Sequence, residues 1–222
     1  MSTPLRIDFV SDVSCPWCAI GLWSLEAALA QLAGEVTADI HFQPFELNPA
    51  MGPEGEDIEE HIARKYGGSF EQFRRSQELL RARGAALGLE FDLHKRRRIY
   101  NSFDAHRLLY SVEGTERQKV LKRELFKAYF TEGRDVSDHR VLREIAALAG
   151  LDDERTQQIL ESGEYADEVR AREQRYQAMG IQAVPSVILD HRYLVQGGQP
   201  TEVFVQALRE ADRERAAGGE RR

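Results

Sequence analysis

Val10-Ser-Asp-Val-Ser-Cys-Pro-Trp-Cys-Ala-Ile20 is the stretch on which the reading of the fold turns. Just before it, Leu5, Ile7 and Phe9 alternate with Arg6, Asp8 and Val10, the period-two pattern of a strand. Ser11 to Ser14 then read as a turn, with Ser14 as helix N-cap and Pro16 in the first helical turn, where its missing N–H costs nothing. Ile20, Leu22, Trp23, Leu25, Leu29 and Leu32 give a helix from Trp17 to about Ala33 a broad apolar face. Val36, Ala38, Ile40 and Phe42, alternating with polar residues, supply a second strand. Strand, helix and strand with short links make a βαβ unit, expected parallel and right-handed.

Cys15 and Cys18 are the only cysteines. One bridge over so short a loop constrains little of the unfolded chain, so a structural disulfide scaffold is excluded. A structural zinc site would need further ligands, and no two of the six histidines stand at zinc-finger spacing, so no metal is assigned. Cys15 falls at the helix N-terminus, where unpaired N–H groups and the helix dipole favour a thiolate. Cys18, a turn further in, reads as the more buried, resolving thiol. C-x-x-C beside a βαβ pattern is a redox signature.

Residues 184–200 supply the other end of the domain. Val187 and Ile188 lie in one short strand and Tyr193 to Val195 in another, joined by Asp190, His191 and Arg192 as a β-hairpin. Gly197, Gly198 and Pro200 lead into a terminal helix that buries Val203, Phe204, Ala207, Leu208 and Ala211. Between the halves, helical periodicity covers residues 57–66, 69–87, 102–112, 116–130, 138–149 and 164–179, with Ser69 and Gln72 as a capping box. The expectation is an α/β thioredoxin-like domain (βαβ … ββα) from residues 1–49 and 178–215, an inserted all-helical domain over 50–177, and a disordered tail over 216–222.

The chain has 222 residues, 42% of them hydrophobic, which excludes wholesale disorder. Its 30 basic and 37 acidic residues give a net charge of −7, and a pI near 5.5 argues against nucleic acid or an anionic membrane as partner. The dense basic run, Lys95 to Arg98, reads as a solvated stretch. No apolar run approaches the ~18 residues of a membrane span. Asp8 and Asp12 interrupt what would be a secretory h-region. The expected location is cytoplasmic.

Cys15-Pro-Trp-Cys18 after a strand, with Val184-Pro185 opening a hairpin, resembles the DsbA-like branch of the thioredoxin superfamily. Phe42-Gln-Pro-Phe-Glu-Leu-Asn-Pro49, Asn101-Ser-Phe-Asp-Ala-His-Arg107 and Gly197-Gly-Gln-Pro200 are similar to the FrnE-like dithiol oxidoreductases, relatives of 2-hydroxychromene-2-carboxylate isomerases. The resemblance implies a cis bond before Pro185 facing the dithiol, with the Val184 backbone offered to an extended substrate. Trp17, inside the motif, is assigned to substrate contact. Asn101 reads as a helix cap and His106 as a satisfied histidine. The expected activity is that of a protein-disulfide oxidoreductase or isomerase. Cys15 attacks a disulfide and Cys18 resolves the adduct. Disulfide-containing proteins are the expected partners, with glutathione as a redox partner and no bound cofactor. The alternatives are a glutathione-dependent isomerase or transferase on the same fold, and a peptide-binding chaperone.

Overall fold

Each polypeptide segment that alternates apolar and polar residues near the two ends of the chain finds a place in one sheet. The structure, a computed structural model, describes residues 4–67, 70–92 and 94–219. In chain order the first elements are β1 (Leu5–Ser11), α1 (Pro16–Gln31), β2 (Ala38–Pro44), β3 (Glu56–Asp57), α2 (Ile58–Tyr66), α3 (Phe70–Ala86) and β4 (Arg98–Ile99). They are followed by α4 (Phe103–Ser111), α5 (Glu116–Phe130), α6 (His139–Leu148), α7 (Asp153–Glu161) and α8 (Ala166–Ala178). The chain then returns to the sheet with β5 (Ser186–Leu189) and β6 (Tyr193–Gln196), and closes with α9 (Thr201–Gly219).

The main sheet has the order β2-β1-β5-β6. β1 runs parallel to β2, with Phe9 opposite Phe42, and antiparallel to β5, with Phe9 opposite Val187. β5 and β6 form the expected hairpin. Its turn residues Asp190 and His191 both have positive φ (50° and 56°), the left-handed pair that a tight hairpin turn uses. The strand alternation sorts β1 between two faces. Leu5, Ile7 and Phe9 pack with Leu22 and Leu25 of α1 and Phe204 and Leu208 of α9. Val10 packs with Ile188 and with Tyr176 of α8 on the other face. α8 thus lies on the sheet, although all but its last residue falls within residues 50–177.

Pro16 occupies the first turn of α1 as expected, but Ser14 is not the cap. Cys15 is the N-cap, with extended backbone (φ −90°, ψ 113°), because a residue before proline is driven out of the helical region. The Ser14 N–H instead donates to Asp12 Oδ1 at 2.9 Å.

In the middle segment the expected helices form, with ends shifted by a residue or two. The Ser69–Gln72 capping box falls outside the described residues at Ser69. Two features go beyond the sequence reading. α7 forms from a polar stretch that buries only Thr156, Ile159 and Leu160, and the short β3–β4 pair joins residues far apart in sequence. α9 continues to Gly219, into the stretch read as a tail; residues 220–222 lie outside the described residues.

The basic run is not simply solvated. Arg96 is buried with its guanidinium 4.9 Å from the ring centres of both Tyr129 and Phe130. Arg98 donates to the Glu54 and Gly55 carbonyls. A planar guanidinium stacks on aromatic faces, so a charge run in sequence can be half core in space.

The glycines before α9 have separate reasons. Gly197 has φ +80°. A Cβ on Gly198 would stand 2.8 Å from the Trp17 carbonyl oxygen and 3.1 Å from its ring. Gly198→Ala should therefore destabilise the protein by about 1–3 kcal/mol through overpacking. Urea unfolding checks this, and an unchanged midpoint would show that the contact is not tight.

Candidate functional site

The site begins with a proline and two thiols at the start of a helix. Cys15 and Cys18 are both unpaired, and both are buried, at 4% and 0% exposure. Cys15 Sγ lies 3.7 Å from the Val184 carbonyl oxygen, as donor to acceptor. The Val184–Pro185 bond is cis. Val184 is half-buried and Pro185 buried beside Gly21 of α1, where an added Cβ would stand 3.0 Å from the proline ring. The first turn of α1 and the loop entering β5 are therefore in contact, which brings four of the five expected site residues, Cys15, Cys18, Val184 and Pro185, to one place. Trp17, the fifth, is half-buried beside them. The Arg83 guanidinium of α3 stands 5.5 Å from the centre of its ring, so the middle segment reaches the dithiol edge. Trp23 is partly buried against the core, packed edge-on on Phe126 with Arg123 over it.

The two thiols differ in environment. Burial pushes the Cys18 thiol well above the ordinary value of 9.0, and the adjacent Cys15 adds to the shift. Cys18 is thus held protonated until something relieves it.

Behind the dithiol lies a group of buried charges. Asp12 accepts the Ser14 N–H at 2.9 Å and the Leu47 N–H at 2.6 Å. His106 Nε2 of α4 stands 3.8 Å from Asp12 Oδ1, beyond hydrogen-bond length, and no hydrogen-bond partner among the described residues reaches that nitrogen. Burial alone would raise the Asp12 pKa. His106 and the two N–H groups outweigh it and lower the carboxyl from 3.8 to about 2. Lys122 of α5 is 1% exposed, and burial lowers its pKa from 10.5 to about 8 against the pull of Cys18, Asp12 and Cys15. A cavity of about 10 Å³, room for about one water molecule, is lined by His106, Lys122, Phe42, Gln43, Pro44, Leu109 and Tyr110. Further out, Arg170 of α8 is shared between the buried carboxylates of Glu46 and Glu173, whose pKa values burial raises. Among the described residues no three His, Cys, Asp or Glu side chains are grouped as metal ligands.

The blocks singled out in the sequence converge on this region. In the first, Phe42 packs on Phe9, Gln43 donates to Asp8, and Leu47 donates to Asp12. In the second, Asn101 is not the N-cap of α4 as expected, a position held by Ser102, but its Oδ1 accepts the Phe103 N–H, while Arg107 is buried and donates to the Glu164, Ile159 and Ser162 carbonyls. His106 is not the satisfied histidine expected, because its buried Nε2 has no hydrogen-bond partner among the described residues. Lys122 was missed. Its signal was available: it sits on the stripe Leu121, Leu125, Phe126 and Tyr129, where a charge breaks an otherwise apolar face.

Comparison with known proteins bears on the fold and the family. Residues 6–209 match the model of the DSBA-like thioredoxin domain. A probable DsbA oxidoreductase from Streptomyces coelicolor, SCO1869, is 36% identical, with 93% of this chain and 89% of that one covered and a TM-score of 0.87. At 17% identity, a 2-hydroxychromene-2-carboxylate isomerase superposes with a TM-score of 0.69 over 96% of this chain and 98% of its own. The cytosolic disulfide reductase DsbM from Pseudomonas aeruginosa, solved with GSH, is 20% identical, with 94% and 100% covered and a TM-score of 0.56. The last two show the shared fold. The chain belongs to the DSBA-like thioredoxin domain family.

Because the Asp12 carboxyl is depressed from 3.8 to about 2, its stabilising contribution is complete above the unfolded value and is lost as pH falls through about 2. Asp12→Asn should lower stability at neutral pH by about 2–3 kcal/mol and flatten the loss between those two values. Denaturant midpoints as a function of pH measure both. An acid limb identical to that of the unsubstituted protein would contradict the assignment.

Proposed function

We propose that this member of the DSBA-like thioredoxin family is a thiol–disulfide oxidoreductase that exchanges disulfides through Cys15 and Cys18. The observation that carries the reading is the unequal pair of thiols on one helical turn. Cys15, at the N-cap, touches the carbonyl ahead of Pro185, while Cys18 is fully buried and held protonated. Cys15 as thiolate attacks one sulfur of a substrate disulfide, and the departing thiolate takes a proton from water. Cys18, once ionised, attacks Cys15 Sγ and releases the second substrate thiol, leaving the Cys15–Cys18 disulfide. The reverse order places a disulfide in the substrate. Val184 supplies backbone polar groups along which an extended peptide docks, and Trp17 supplies an apolar edge. Disulfide-bearing proteins are the proposed substrates and glutathione the small-thiol partner, a reading supported by a structural neighbour solved with GSH. That neighbour is named cytosolic, in keeping with a cytoplasmic placement of this chain.

The glutathione-dependent isomerase reading shares the fold. Related isomerases commonly have serine at the first dithiol position, so the presence of both Cys15 and Cys18 favours exchange. A peptide-binding chaperone would keep its activity when both cysteines are replaced by serine.

Separate roles for the thiols give a direct test. Cys18→Ser keeps the nucleophile and removes the resolving step, so it should accumulate mixed disulfides with proteins in extracts. Cys15→Ser should accumulate almost none. Non-reducing electrophoresis after acid quench and alkylation reads both. Equal trapping by the two variants would contradict the assigned order.

A further inference from the structure

The two tryptophans of α1 each carry a stacked arginine, and the two arginines are held differently. Over Trp23, the Arg123 guanidinium stands 4.4 Å from the ring centre and is also paired with Glu26, one turn along the helix. Arg155, Arg170 and Arg172, which stack on other rings, are likewise each paired with a glutamate. Stacking occupies the face of a guanidinium and leaves the N–H fork at its edge for a carboxylate. Over Trp17, the half-buried Arg83 guanidinium stands 5.5 Å from the ring centre, and no carboxylate among the described residues lies within 4.0 Å of it. Trp17 is the third residue of Cys15-Pro-Trp-Cys18, and Gly198 is packed closely against it from the hairpin exit. The fork is thus stationed on a ring of the dithiol motif itself. Its helix, α3, opens a basic stretch. Residues 70–98 hold eight Lys and Arg against four Asp and Glu, in a chain of net charge −7. The net charge disfavours an approaching anion, and this stretch offsets it on the side where α3 meets α1.

We propose that Arg83, stacked on Trp17, binds a carboxylate close to the reacting sulfur of the substrate, so that acidic disulfides are preferred to neutral ones. The assignment rests on the disulfide-exchange reading and names the substrate class. Three extended residues span about 10 Å, so a carboxylate within that length of the sulfur attacked by Cys15 can reach a guanidinium seated two residues along the motif. In the step, the Cys15 thiolate forms a bond to the nearer substrate sulfur as the substrate S–S bond breaks. The departing sulfur carries away the electron pair and takes a proton from water. Arg83 neither gives nor takes a proton. Its fork holds the carboxylate through the attack and so places the sulfur. The carboxylate belongs either to an acidic residue beside the cysteine of a peptide or to a small thiol such as glutathione, and the chemistry read by Arg83 is the same.

The test measures how fast excess disulfide consumes the reduced protein, by acid quench and intact mass, for two matched pairs of disulfides. One pair is oxidised glutathione and its fully esterified form. The other is two short peptide disulfides that differ only in Asp or Asn beside the cysteine. Each pair gives a ratio of rates, acidic member over uncharged member, divided by the same ratio for free 2-mercaptoethanol. In the unsubstituted protein at least one ratio should be about fivefold or more at low salt. It should shrink toward one at 1 M salt, where the screening length is about 3 Å. In Arg83→Gln the ratio should fall to about one. A preference confined to the glutathione pair would assign the carboxylate to a small thiol, and one confined to the peptide pair to an acidic peptide. A ratio in Arg83→Gln equal to that of the unsubstituted protein would overturn the assignment even if both rates fell, because an arginine that only supports the fold slows both members alike. Unsubstituted ratios near one in both pairs would overturn it without any variant. In either case reaction of the uncharged members would leave disulfide exchange intact. Reduced protein that none of the four disulfides consumes would remove the exchange reading, and this assignment with it.

Discussion

One buried carboxylate joins the parts of the site. Asp12 sits in the turn between β1 and α1, and its two oxygens accept N–H groups from Ser14, one residue before Cys15, and from Leu47, just past the end of β2. His106 of α4 closes on it from the helical segment. The turn that presents the dithiol, the exit from the sheet and the first helix packed behind them are thus held by a single charge. That charge survives burial because hydrogen-bond donors and a histidine surround it. A neutral residue at position 12 would leave two buried N–H groups with a poorer acceptor, and the turn would lose the contacts that set the start of α1.

From that anchor the remaining geometry follows by packing. α1 is buried on nearly all sides, against the sheet, α9 and α5, so its first turn has little freedom. The β5 strand enters the sheet beside β1, which brings the Val184 carbonyl to Cys15 and leaves only a glycine's width between Pro185 and α1. Gly198 makes a second close approach, to Trp17, from the other end of the hairpin. The middle helices then contribute chemistry as well as cover. α3 places Arg83 over Trp17, α4 places His106 by Asp12, and α5 buries Lys122 in the lining of the small cavity that His106 also lines.

How much of this is legible in sequence depends on the range of each signal. Period-two alternation, the proline after Cys15 and the polar turn at Asp190 and His191 are local, and they lead to the parallel βαβ unit and the hairpin. The C-x-x-C spacing is local too, and the resemblance of the motif blocks extends it to Val184 and Pro185. Asp12, His106 and Lys122 meet only through tertiary packing, and each looks unremarkable in its own segment; Lys122 shows merely as a polar residue on an apolar stripe. Ser14 was misread because it has a good cap side chain, while the proline at position 16 moves the cap to Cys15. α7 has too few buried aliphatics to announce a helix, and Arg96 looks solvated until the rings of Tyr129 and Phe130 come to it.

The central claim is that Cys15 and Cys18 form one reversible redox couple. Dithiols of related folds span about −270 to −120 mV, so the position of the couple sets the direction of exchange. Equilibrating the protein in a series of reduced and oxidised glutathione mixtures, followed by acid quench and intact-mass measurement, tests the claim most directly. The account predicts a single transition in which the chain loses a pair of hydrogens and gains no adduct, with a midpoint that defines the potential. Separate glutathione adducts on one or both cysteines, with the internal disulfide absent at every ratio, would contradict it.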